Sequence, residues 1–176
     1  MRVVLVTGMP GAGKEELLTV ARGLSLPFVR MGDLVREGYA ASRAADRGMT
    51  VGQYASSERD SFGKGVWAER AVARMSGDVF LVDGCRSLDE VDAYRALGLD
   101  VVVLAVLASP SQRYGRLIAR GRDDAPRSME EFEARDARET GWGLAELIAR
   151  ADAYVVNDRD LETFRLRALE ALEVLL

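Results

Sequence analysis

Gly8, Gly13 and Lys14 have the spacing of a loop that holds phosphate: a glycine, four intervening residues, then glycine and lysine. Glycines let the backbone curl until several N–H groups converge on anionic oxygens. A helix beginning at Lys14 points the positive end of its dipole at the same place. Lys14 adds a mobile cation for terminal phosphates. Gly8, Met9, Pro10, Gly11, Ala12, Gly13 and Lys14 are therefore the candidate polyphosphate-binding residues. One letter departs from the pattern. The residue after Lys14 is Glu15, where a serine or threonine hydroxyl normally ligates phosphate-bound Mg²⁺. A carboxylate there is repelled by a triphosphate unless a metal lies between. Either Glu15 meets Mg²⁺ directly or through water, or Asp83 takes over the metal, or triphosphate binds weakly.

Asp83 closes an apolar run, Val79 to Val82. Strand ends of this kind converge on the ligand crevice of a doubly wound sheet. Arg116 and Arg120 are four apart and share one helix face, with Arg122 just beyond in the charged turn Arg120 to Arg127. Arginine binds phosphate through a planar fork and stays charged, which suits neutralising a transferred phosphoryl group. The plainer alternative is a solvated face paired to Asp123, Asp124, Glu130, Glu131 and Glu133. The chain has no histidine. An acceptor that is itself a phosphate is already ionised and needs no base. A hydroxyl acceptor needs a carboxylate to take its proton, and Asp33 and Asp83 are the candidates.

The elements that position these residues follow from pattern. Apolar β-branched runs alternate with longer helical stretches, the signature of a parallel sheet wrapped by helices. Strands are expected at Val3–Val6, Pro27–Met31, Val79–Gly84, Val101–Leu107 and Ala153–Asn157. The run Val101–Leu107 is the most apolar and is expected to be central or covered on both faces. Helices are expected from Lys14 to Leu24, from Gly32 with Asp33 near its cap, from Ser87 to Leu97, from Ser109-Pro110, from Ser128 to Glu139, from Leu144 to Ala151 and from Leu161 to Leu176. Ser87 with Glu90, and Ser128 with Glu131, have the spacing of reciprocal capping boxes. Residues 34–75 read as two or three helices beside the sheet.

A length of 176 residues suits one domain, and 48% hydrophobic residues suffice for its core. A net charge of −4 argues against a general nucleic-acid binder. The sole cysteine, Cys85, excludes an intrachain disulfide and, without histidine, an ordinary zinc site. Met1-Arg2 leads straight into the first strand, leaving no room for a signal peptide, and no apolar run approaches the roughly 18 residues of a membrane span. The expectation is a cytoplasmic protein whose partners are small-molecule nucleotides, with neither nucleic acid nor membrane.

Further segments resemble the adenylate-kinase-like nucleoside monophosphate kinases in kind and order. Gly32-Asp33-Leu34-Val35-Arg36 resembles their Gly-Asp-x-x-Arg segment, whose arginine holds the acceptor phosphate. Asp83-Gly84-Cys85-Arg86 resembles Asp-Gly-x-x-Arg with one residue fewer. Arg116 and Arg120 resemble the arginine pair entering the lid, and Arg135 and Arg138 the pair leaving it. A closer resemblance spans nearly the whole chain. Gly8-Met9-Pro10-Gly11, Met31-Gly32-Asp33, Val82 to Glu90, Ala108-Ser109-Pro110, Arg120-Gly121-Arg122 and Val156-Asn157 together resemble a family of small, mostly archaeal, adenylate-kinase-related nucleotide-binding proteins of uncertain substrate.

The resemblance implies a three-layer P-loop NTPase fold, with a five-stranded parallel sheet, a helical acceptor-side insertion near 34–75 and a short lid near 120–138. It implies ATP and Mg²⁺ as cofactors, with Lys14, Arg116, Arg120 and Arg122 catalytic. Asp33, Arg36, Asp83, Arg86, Arg135 and Arg138 would bind the acceptor, and Asn157 would touch the donor base. Asp83 and, through water, Glu15 would hold the metal. The expected activity is transfer of the ATP γ-phosphoryl group to a nucleoside monophosphate. The alternatives are a kinase for a hydroxyl-bearing metabolite similar to dephospho-coenzyme A, and a nucleotide-dependent switch or ATPase without efficient transfer.

Overall fold

The computed structural model describes residues 1–44, 48–63, 65–121 and 125–176. Five strands form one sheet: β1 (Arg2–Thr7), β2 (Phe28–Arg30), β3 (Val79–Asp83), β4 (Asp100–Leu107) and β5 (Ala153–Val156). Their order is β2-β3-β1-β4-β5, and every pairing is parallel. Parallel neighbours need crossovers, and helices provide them. α1 (Lys14–Gly23), α2 (Met31–Ser42), α3 (Val51–Phe62), α4 (Val66–Val72) and α5 (Leu88–Ala96) precede β4. α6 (Pro110–Arg120), α7 (Met129–Gly141), α8 (Leu144–Ala149) and α9 (Leu161–Leu175) follow it.

β1 is the central strand, and Val3, Val4, Leu5 and Val6 are fully buried. Alternate residues serve opposite faces of the sheet. Val3 and Leu5 join a core with Leu34, Tyr54, Trp67, Val91, Tyr94 and Leu147. Val4 and Val6 join a second core with Leu17, Leu18, Phe164, Ala168 and Leu172. β4 also divides, with Val103 in the first core and Leu104 and Val106 in the second, so both of its faces are covered. Each fully buried aliphatic or aromatic side chain contributes about 1.5–3 kcal/mol. The two cores therefore lock the sheet from both sides and leave its carboxyl edge for chemistry.

Three local expectations change. α2 starts at Met31, with Arg30 as its N-cap and no side-chain cap bond, so Asp33 lies within the first turn and not at the cap. Ser87 and Ser128 do cap α5 and α7. Their reciprocal partners reach one residue further back. Glu90 accepts from the Arg86 N–H at 3.0 Å, and Glu131 from the Arg127 N–H at 2.8 Å. In both cases an arginine backbone is held just ahead of a helix. Among the described residues, no helix is long and apolar enough to cross a membrane.

Candidate functional site

The loop between β1 and α1 is wedged against its neighbours. Gly8 has φ 143°, and a Cβ there would lie 2.5 Å from the Val106 carbonyl oxygen. Gly13 has φ 116°, and a Cβ there would lie 2.3 Å from Asn157 Nδ2. At both positions only glycine combines the required turn with the close approach. Thr7 Oγ1 donates to the Cys85 carbonyl at 2.9 Å, tying the end of β1 to the turn after β3. The Lys14 ammonium donates to the Gly8 carbonyl at 2.6 Å and the Met9 carbonyl at 3.4 Å. Burial lowers its pKa, while the nearby Asp83 and Glu139 carboxylates oppose that shift.

The loop opens on a cavity of about 660 Å³ at the carboxyl ends of the strands. Asp83 stands in its wall at the end of β3, in register with Val6 and Arg30. Its Oδ1 is buried without a hydrogen-bond partner. Burial raises its pKa, and Lys14 and then Arg30 pull the other way. Glu15 and Arg30 also line the cavity and form an ion pair with each other. Glu15, at the position where a Ser or Thr hydroxyl is usual, is thus engaged within the protein.

α6 supplies one wall. Arg116 Nη2 donates to both the backbone oxygen and Oδ1 of Asn157, each at 3.0 Å. Asn157 Nδ2 donates to the Ala12 carbonyl at 2.8 Å, and its backbone N–H to Leu107 at 2.7 Å. Asn157 is only 6% exposed. Asn157 lines the cavity, and its amide ties the phosphate loop to Arg116. We expect Asn157→Ala, which strands the Ala12 carbonyl and loosens Arg116, to cost about 1–3 kcal/mol in denaturant unfolding.

Arg113, one turn before Leu117 on the same buried face, is 3% exposed. Both its Nη atoms bond Asp136 of α7, and Nη1 also reaches the Pro10 carbonyl at 3.2 Å. Its guanidinium covers the Phe132 ring at 4.9 Å. A buried ion pair therefore joins α6, α7 and the loop.

The cavity is also lined by Arg120 at the end of α6 and by Arg36, Arg86 and Arg135. Arg86 Nε pairs with Glu139 Oε2 at 3.2 Å, and its guanidinium covers Trp142 at 5.5 Å. Glu139 is 7% exposed. Arg36 pairs with Asp33 along α2, but Asp33 is half-exposed and stands outside the cavity wall. Arg138 is likewise not in the wall, and Arg122 lies outside the described residues. Met9 and Ala12 contribute backbone carbonyls to Lys14 and Asn157. The structure thus gathers Lys14, Glu15, Asp83 and five of the expected arginines, and it adds Arg30, Arg113 and Glu139. Only Arg113 carried a usable signal, its i,i+4 spacing to Leu117 on an apolar face.

Among the described residues lining the cavity, eight side chains are cationic and four are carboxylates. A site so biased toward positive charge suits a polyanion. No cluster of three metal-ligating side chains occurs among the described residues. The buried, unpartnered Asp83 Oδ1 is the oxygen here that fits the hydration shell of a Mg²⁺ ion.

The family model described as "AAA domain" matches residues 7–133. A UPF0200 protein of Thermoplasma volcanium is 39% identical over 97% of this chain and 96% of its own length. A UPF0200 protein of Hyperthermus butylicus is 41% identical over 97% and 92%. Among solved structures, TT1252 from Thermus thermophilus superposes with a TM-score of 0.67 at 18% identity, covering 98% of this chain and 96% of that one. Shikimate kinase from Bacteroides thetaiotaomicron superposes with a TM-score of 0.59 at 20% identity, covering 98% of both chains. At these identities the two structures establish the P-loop kinase-like fold.

Proposed function

The chain belongs to the UPF0200 family of AAA-domain proteins, and from that premise we propose that it transfers the γ-phosphoryl group of ATP to a nucleoside monophosphate. The observation that carries this reading is the charge of the cavity: seven arginines line it together with Lys14 of the phosphate loop. The loop N–H groups and Lys14 hold the β- and γ-phosphates. Arg116, Arg120 and Arg135 offset the charge on the equatorial oxygens, with Arg122 placed by sequence to join them. Arg36 and Arg86 hold the acceptor phosphate, and Arg86 exchanges Glu139 for it. An acceptor phosphate oxygen attacks the γ-phosphorus, and the bond to the β,γ-bridging oxygen breaks. The products are ADP and a nucleoside diphosphate, and no proton has to move. Asp83 would hold a water of Mg²⁺, which would supply further neutralisation of phosphate charge.

A coupled assay with MgATP and a panel of nucleoside monophosphates tests this. Turnover with at least one member supports it, and none with any member ends it. A second reading, a hydroxyl acceptor, draws on Asp83: burial raises its carboxyl pKa, which suits a general base. The two differ in pH behaviour. A base acts only when deprotonated, so a hydroxyl kinase loses rate as pH falls through the raised Asp83 value, and Asp83→Asn abolishes that limb together with turnover. With a nucleoside monophosphate, the acid limb belongs to the acceptor's own second ionisation near pH ~6. We expect the residual activity of Asp83→Asn to keep that limb in a rate–pH profile.

A further inference from the structure

Glu15 has no task in the proposed reaction, and its partner gives it one. We infer that Arg30 makes Glu15 compatible with a phosphate loop, and that Arg30 contacts the terminal phosphate of a nucleoside triphosphate from the acceptor side. This rests on the reading of the cavity as a nucleotide site. Arg30 ends β2, in register with Asp83. Its Nη2 donates to Glu15 Oε1, and its guanidinium covers the Phe28 ring at 5.9 Å. Its Nε is buried without a hydrogen-bond partner. The side chain is thus held from two directions, and it lines the cavity together with the loop and Arg36.

The charge arithmetic favours a functional pair. Glu15 alone would set a carboxylate against a polyanion. Paired with Arg30 it contributes no net charge, so the loop regains the balance it would have with a neutral hydroxyl residue. Arg30 has five N–H donors, and Glu15 takes a bond from one nitrogen. The others remain for a tetrahedral anion, which a planar fork binds well. An exposed ion pair is worth about 0–1 kcal/mol to folding. Glu15 and Arg30, with side chains 49% and 27% exposed, therefore matter little to stability and much to the field in the cavity.

The experiment is equilibrium titration of the full chain with ADP and with a non-hydrolysable ATP analogue, both with Mg²⁺ and without turnover. Arg30→Gln is expected to weaken the analogue by about tenfold or more and ADP by less than about threefold. Arg30→Lys keeps the charge but loses the fork, and is expected to recover part of the analogue affinity. It also carries the test if Arg30→Gln fails to fold. Glu15→Ser in the Arg30→Gln background should recover ADP affinity by removing the unbalanced carboxylate, but only part of the analogue affinity, because the Arg30 contact is still missing; full recovery of the analogue would overturn the contact. Equal losses for the two nucleotides would mean that Arg30 only offsets Glu15, and would overturn the contact. Unchanged affinities would overturn both roles of Arg30 while leaving the nucleotide site standing. A wild-type chain that binds neither nucleotide would remove the nucleotide reading and this inference with it.

Discussion

Lys14→Met should lower phosphoryl transfer by about 10²–10³-fold, the usual cost of removing one preorganised donor from a developing charge. It should do so without lowering the thermal unfolding midpoint. Lys14 is a poor residue for stability. Burial lowers its pKa, and its ammonium rests on the Gly8 and Met9 carbonyls of its own loop. The sign follows from linkage. Between the lowered folded value and the ordinary lysine value, the unfolded chain binds more protons than the folded one. Wild-type stability therefore rises with pH through that window. Below both values the penalty is fully present, and methionine removes it. Thermal melts across neutral to alkaline pH, set beside the coupled assay, measure both halves. A midpoint that falls with the substitution would show that Lys14 is a structural cation.

Arg113→Met should destabilise the protein by about 3–5 kcal/mol, because it leaves the Asp136 carboxylate half-buried without its partner. Arg113→Met with Asp136→Leu should recover most of that loss, since well-packed apolar groups often replace a buried pair without cost. Recovery of stability should not extend to the ligand. The Pro10 carbonyl loses the Arg113 Nη1 bond in both variants, so the phosphate loop loses one of its fixed points. Urea unfolding and ADP titration on the two variants separate these effects. If the double variant binds ADP as the wild type does, Arg113 holds the helices together but not the loop.

These residues also show where the chain can be read directly and where it cannot. Gly8, Gly13 and Lys14 were legible because the loop is local: its glycines, strand and helix are contiguous in sequence. The five strands were legible because a parallel sheet covered on both faces requires unbroken apolar runs. The capping serines were legible, but their partners slipped by one residue, since a long Glu side chain reaches the N–H before the cap as readily as that of the cap. What stayed hidden was pairing across space. Glu15 meets Arg30 fifteen residues on, and Arg86 meets Glu139 fifty-three residues on. Asn157 looked like a ligand residue because a strand-end amide serves equally well to bind a base or to tie two backbones. Only the positions of Ala12 and Arg116 show that it ties them here.

The charge of the cavity has a consequence for encounter. Eight cations and four carboxylates give its lining a formal +4, yet the whole chain carries −4. The rest of the molecule therefore carries −8. A nucleotide drifting toward most of this surface is turned away, and it feels attraction only near the cavity mouth, within about 8–10 Å of screening distance at ordinary ionic strength. Low-dielectric walls gather the field lines there and raise the local concentration of anions. Selection for nucleotides thus begins in the diffusion layer, before any hydrogen bond forms, and the acidic exterior aims them at the opening.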